Sequence, residues 1–227
     1  MLCIIIDEEN TKVFDNAQLK MPAERKGLAG KEIILYWVEY ARSTGKKSVH
    51  VFSPIQTVGI DEEVSLYHLY GVRVIYHKLE SHPKDFKCYE GVGIFLDDGS
   101  YRKFESFNDL LSFEKKMLEM PLEYSADLGY GKHENIRIGK NVYIHPSAQL
   151  LGKVIIGDNC RIEKNTIIEN SVINKYSMVK EGSIIKDSHI AANVVMVTDL
   201  YLKDKALFQA GIYDIKTEHF YAFDGTI

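Results

Sequence analysis

An aliphatic residue at every sixth position from Ile138 to Ile168 constrains this chain more than any other feature. Ile138, Ile144, Leu150, Ile156, Ile162 and Ile168 make an unbroken column. Four residues after each stand Val142, Ala148, Val154, Cys160, Thr166 and Val172, which are small or β-branched. Two inward positions in every six residues is the pattern of a coil in which three short strands make one turn. Each turn buries its column on the next, giving a left-handed parallel β-helix. After Val172 the count slips by one residue to Ile173, Val179 and Ile185, with Ser177, Ser183 and His189 in the second column. A tighter corner accounts for the slip. The coil is expected over 136–195, roughly ten hexads or about three turns, near the minimum that buries a continuous core, so it needs a cap or a partner.

Ahead of the coil the pattern changes to that of a parallel sheet. Leu2 to Asp7 reads as a buried strand, since a short β-branched run ends on a polar residue. Ile33, Ile34, Trp37, Val38 and Ala41 recur at helical spacing and Gly45 stops that helix. Ser48 to Phe52 is a second strand, Asp61 to Tyr70 a short helix, and Val72 to Tyr76 a third strand. Strand and helix alternate as in crossover-connected parallel sheets. Gly91 to Phe104 reads as a hairpin turning at Asp97-Asp98-Gly99-Ser100, where both aspartates are expected to be turn residues. Ser106 caps a helix through Asp109, with Phe107, Leu110, Leu111, Met117 and Leu118 on one face. The predicted fold class is therefore α/β plus all-β: a Rossmann-like domain over 1–120, a linker over 121–135, the coil, and a tail over 196–227 with a helix near Leu200 to Ala210.

Composition narrows the function classes. A net charge of −4 over 227 residues gives no basic excess for nucleic acid. The opening apolar run lacks a basic flank and is too short for a signal peptide or membrane span. Three widely spaced cysteines, Cys3, Cys88 and Cys160, suit a reducing cytoplasm, without metal-ligand spacing. Tyr36, Trp37 and Tyr40 crowd one helix and Tyr67 and Tyr70 the next, fitting either core packing or an interface.

Several of these segments are similar to the sugar-1-phosphate nucleotidyltransferases. Gly30-Lys31-Glu32-Ile33-Ile34 resembles that family's Gly-Lys-Pro-Leu-Ile helix start, Pro22 falls on the Pro of its Pro-Lys pair, and Gly91 to Phe104 resembles its Asp-Asp-Gly hairpin. The resemblance implies a Rossmann-like fold ending in a β-helix, with magnesium as cofactor for an active member. It also implies a phosphate-binding glycine loop, which here becomes Glu8-Glu9-Asn10-Thr11-Lys12-Val13-Phe14. Two carboxylates repel a triphosphate where glycines would admit it and donate N–H groups. Ala23 stands where the family has lysine. The remaining nucleotide-binding candidates are Asp7, at a strand's carboxyl end, and Lys12, Lys20 and Lys26. The resemblance thus implies a catalytically degenerate regulatory or scaffolding subunit in nucleotide-sugar or polysaccharide metabolism, associating through the coil with itself or an active relative.

The coil also resembles those of hexapeptide-repeat acyltransferases, which implies acyl-CoA as donor and a histidine as general base. His145, in Ile144-His145-Pro146-Ser147, and His189, on the second column, are the candidates. Both are also compatible with structural roles in coil turns.

Overall fold

The computed structural model describes residues 1–6, 27–53, 71–78, 88–96, 98–119 and 135–223. They fall into two compact units: one holds residues 1–6 with 32–107, the other 27–31 with 108–223.

In the first unit four strands form one parallel sheet in the order Arg73–Lys78, Ser48–Ser53, Leu2–Ile5, Tyr89–Glu90. Leu2, Cys3 and Ile4 are buried, as an interior strand of a parallel sheet requires. Helix α1, Ile33–Ser43, buries Ile33, Ile34, Trp37, Val38 and Ala41, the face expected from their spacing. The Trp37 indole N–H donates to the Gly93 carbonyl at 2.7 Å, so its one polar atom is satisfied inside the core. Gly93–Phe95 and Tyr101–Lys103 form the expected hairpin. At its turn Asp98 Oδ1 accepts from the Ser100 N–H, and hydrogen bonds from the Ser100 hydroxyl first and its N–H second hold the Asp98 carboxyl below its usual range; Asp97 lies outside the described residues. Tyr40 stacks on Phe95, with Tyr89 and Tyr101 around it, so these rings pack within the unit.

Cys3, on strand Leu2–Ile5, and Cys88, immediately before strand Tyr89–Glu90, are joined by a disulfide, which departs from the reducing setting that their spacing suggested. The pairing was not legible because it depends on which strands lie side by side. Cys160 is the remaining thiol, and burial pushes it up to about 11, where little thiolate exists at neutral pH. Native, unreduced protein should therefore show no thiol reactive to Ellman's reagent. Denaturation should reveal one, and reduction with denaturation all three; one thiol titrating in native protein would contradict the burial of Cys160, and two would contradict the disulfide.

The second unit is a parallel β-helix of three faces. On the first, Ile138, Ile156, Ile173 and Ile190 stack in register and Leu207 follows Ile190. On the second, Ile144, Ile162 and Val179 stack, and on the third Leu150, Ile168, Ile185 and Leu202. Ile156, Ile162, Ile168, Ile173, Val179 and Ile185 are fully buried in one core cluster. A buried aliphatic side chain of this size stabilises by roughly 1.5–3 kcal/mol, so the column is the principal support of the coil.

The corners are built by residues in left-handed conformation, mostly Asn and Asp, whose short side chains tolerate it. At one such corner a β-carbon on Gly152 would lie 2.2 Å from Asn170 Oδ1, which accepts the Lys153 N–H, so glycine there admits the next turn's side chain. Later turns place serines in the second column. Ser171, Ser177, Ser183 and Ser188 each accept an N–H from the following turn, at 3.0–3.3 Å.

Several expectations for this part differ from the structure. The shortened corner recurs: Ile156 to Ile173, Ile173 to Ile190 and Ile190 to Leu207 are each seventeen residues apart, because the third-to-first-face corner is one residue shorter after the first turn. Ser171 and Ser188, rather than Val172 and His189, therefore take the second column, and Val172 and His189 point out of the coil. The coil also runs on past 195, since Leu202 and Leu207 continue two columns. Where a helix was expected near Leu200 to Ala210 there are strands Tyr201–Lys203 and Lys205–Phe208, followed by antiparallel strands Gly211–Asp214 and His219–Ala222. Finally, helix α2, Phe107–Glu119, groups from Asn108 onward with the coil and not with the sheet before it.

Candidate functional site

Helix α2 carries one carboxylate on its apolar face. Leu110, Leu111, Glu114 and Met117 follow helical spacing, and Met117 packs with Ala29 on the outward residues Ile155 and Val172 of the first coil face. Glu114 is therefore carried into a buried position, 3% exposed, where an ionised carboxylate is stable only with hydrogen-bond partners. It has two: Oε1 accepts the Ala29 N–H at 2.6 Å, and Oε2 faces His189 Nδ1 at 2.6 Å. His189 occupies the outward row of the first face between Val172 and Ala206, and is 4% exposed.

The partners assign the histidine's state. Nδ1–H donates to Glu114, which leaves the lone pair of the neutral ring on Nε2. Nε2 accepts from Asn174 Nδ2 at 3.2 Å, and the same amide donates to the Ile190 carbonyl at 3.0 Å. Asn174 Oδ1 in turn accepts the Gly30 N–H at 3.2 Å. The network thus fastens backbone at Ala29 and Gly30 to the coil and fixes the imidazole tautomer at once.

Glu114 and His189 line a pocket of about 710 Å³, together with Lys115, Lys153, Asn170 and Asp187. That volume lies in the usual range for small-molecule sites. Its wall is the coil corner built by Gly152, Asn170, Asp187 and Asp204, three of which present polar side chains.

The other histidine is arranged differently. His145 Nδ1 accepts the Ser147 N–H at 3.1 Å and lies 2.9 Å from Ser147 Oγ, which itself accepts the Asn165 N–H. His145 Nδ1 is thus already engaged within its own turn, and among the described residues no carboxylate is placed against the ring as Glu114 is against His189. The structure does not bring His145 together with His189: the first sits beside the second coil face, the second on the first face. Asp7, Lys12, Lys20 and Lys26 lie outside the described residues, as do Glu8, Glu9, Val13 and Ala23. Among the described residues no group of three or more His, Cys, Asp or Glu side chains is placed to hold a metal ion.

Sequence reasoning missed Glu114 and Asn174. Glu114 had a signal, a lone carboxylate in step with Leu110, Leu111 and Met117. Asn174 had none, because only the covered face of the coil makes its position interior.

Residues 135–170 match the family model described as bacterial transferase hexapeptide, six repeats. No curated protein matches the sequence. Among solved structures, a histidine-to-asparagine mutant of perosamine N-acetyltransferase from Caulobacter crescentus, in complex with CoA and GDP-perosamine, is 16% identical. The match covers 88% of this chain and 90% of that one at a TM-score of 0.25, a superposition that carries nothing over to this chain.

Proposed function

We propose that the chain is a hexapeptide-repeat transferase that moves an acyl group from acyl-CoA to a hydroxyl or amine. His189 is the proton acceptor, and Glu114 is its positioning residue. The observation that carries this reading is the 2.6 Å contact from His189 Nδ1 to Glu114 Oε2 at the wall of a pocket, which orients the ring and reserves Nε2 for a partner other than Glu114. The acceptor heteroatom would displace the long Asn174 contact, lose its proton to Nε2, and attack the thioester carbonyl. The tetrahedral oxyanion would then collapse, breaking the C–S bond, and the departing CoA sulfur would take the proton back from the imidazolium. Asn174 would keep one amide hydrogen on the Ile190 carbonyl throughout. The acyl-CoA thioester would supply the activated carbonyl, and CoA would leave as the free thiol.

Self-association through the coil belongs to the same reading. Ile167, Ile184 and Tyr201 form an outward row on the third face, and Val195 and Val197 beside it are each 67% exposed. A straight apolar row with the spacing of stacked strands fits another coil best.

A second reading is favoured by one observation. The sheet order of the first unit, third strand, second, first, fourth, is that of half a doubly wound nucleotide-binding sheet. It fits a nucleotide-binding type of sheet, with the first unit acting as a regulatory or scaffolding part.

Acetyl-CoA decides between them. At about a hundred times its dissociation constant, a ligand bound only to folded protein stabilises by roughly 2.7 kcal/mol, which is a melting shift of several degrees. Thiol release from acetyl-CoA with a panel of sugar amines and alcohols should then be lost in His189→Ala and kept in His145→Ala. Glu114→Gln should lower kcat and move the acidic limb of the pH profile. No melting shift and no thiol release with any acceptor would remove the transferase reading and leave the scaffold.

A further inference from the structure

The pocket beside His189 has more chemistry than a proton acceptor requires. Asn170 and Asp187 project from successive turns at one corner, with Ser112 on α2 opposite them, which gives a row of amide, carboxylate and hydroxyl groups. Such groups bind adjacent hydroxyls, because a carboxylate accepts from two at once and an amide both donates and accepts. Asp187 Oδ1 accepts from Asn170 Nδ2 only at a long 3.4 Å, which leaves most of the carboxylate's accepting capacity for a ligand. Lys115 and Lys153 also line the pocket, and neither is in an ion pair among the described residues, whereas Lys164, Lys180, Lys186, Lys205 and Lys216 all are. Among the described residues no Phe, Tyr or Trp lines it.

We propose that this corner pocket binds an anionic sugar, its hydroxyls held by Asn170, Asp187 and Ser112 and its acid group by Lys115 and Lys153. The size, about 710 Å³, admits a hexose with its acid group and leaves room for a donor. The ligand's role as acyl acceptor rests on the transferase reading above; its binding does not.

Full-length protein would be titrated calorimetrically with glucose 6-phosphate, glucuronate, glucose and inorganic phosphate, each to about 20 mM, and separately with acetyl-CoA. Millimolar or tighter binding is expected for the phosphate ester, the uronate or both, which also tells the two acids apart. Glucose should bind at least tenfold more weakly, since it lacks the charge-assisted contact. Lys153→Ala and Lys115→Ala should each weaken the anionic sugar about tenfold, with Lys153→Arg restoring most of it, and neither change touches the core. Failure of both anionic sugars to bind would overturn the proposal even if acetyl-CoA binds. Inorganic phosphate binding as tightly as glucose 6-phosphate would overturn it too, by removing the hydroxyl contacts. Unweakened binding in the Lys115→Ala/Lys153→Ala double variant would place the ligand elsewhere. Sugar binding without any response to acetyl-CoA would uphold this site and remove only the transferase reading.

Discussion

Replacing Ile156 by Asp should abolish the coil at ordinary temperature. Ile156 is fully buried between Ile138 and Ile173 in the first column, in a cluster of aliphatic side chains with Met196 and Cys160, whose thiol already donates to the Asn174 carbonyl. An unpaired buried charge, added to the lost aliphatic contact, costs of the order of 5 kcal/mol, a large fraction of the 5–15 kcal/mol that hold a typical domain together. The expected result in a urea titration followed by far-ultraviolet circular dichroism is loss of the coil transition, or aggregation on expression. An unchanged midpoint would mean that the column does not face inward. Asp158 stands at an outward corner by spacing and looks like a harmless control, but its Oδ1 accepts the Lys140 N–H at 2.7 Å across a turn. Glu181, whose pair with Lys164 is exposed on both sides, is the better control: Glu181→Gln should change stability by no more than about 0.5 kcal/mol.

Glu114→Ala should have the next largest effect. It leaves His189 Nδ1–H and the Ala29 N–H buried without their acceptor, and opens space under the helix. Breaking one side of a buried, hydrogen-bonded pair costs about 3–5 kcal/mol. Glu114→Gln keeps one acceptor oxygen and should recover part of that. In a double-mutant cycle, Glu114→Ala with His189→Ala should destabilise less than the sum of the two, by about 1–3 kcal/mol, because the second change removes a donor that the first had orphaned. Additive losses would show that the two side chains do not depend on each other, and would take away the positioning role as well.

The balance between functions moved on two findings. A degenerate phosphate loop argued for a scaffold, and the residues concerned, Glu8 to Phe14 with Ala23, lie outside the described residues. The match of 135–170 to a transferase hexapeptide model, with the buried carboxylate on His189, favours the acyltransferase alternative instead. His189 was legible as a candidate because histidine is rare on such a column. Its true surroundings were not, since the one-residue corner that recurs every turn moved it from the inward column to the outward face.

The sequence by itself determined the coil, the apolar face of α1, the Asp-Gly hairpin and the amphipathic α2, because each is written as a local period that burial enforces wherever the rest of the chain goes. Six aliphatic residues at sixfold spacing have no other way to leave water together. Tertiary structure alone decided what covers the first coil face. The Cys3–Cys88 bond, the burial of Glu114, and the meeting of Ala29 and Gly30 with residues 85 and 144 positions later all join segments far apart in the chain. No local pattern encodes such a meeting, since it depends on which face is left uncovered when each unit has packed its own core. The candidate site is made of those long-range contacts, and for that reason its residues could be nominated one at a time from the sequence but assembled only in three dimensions.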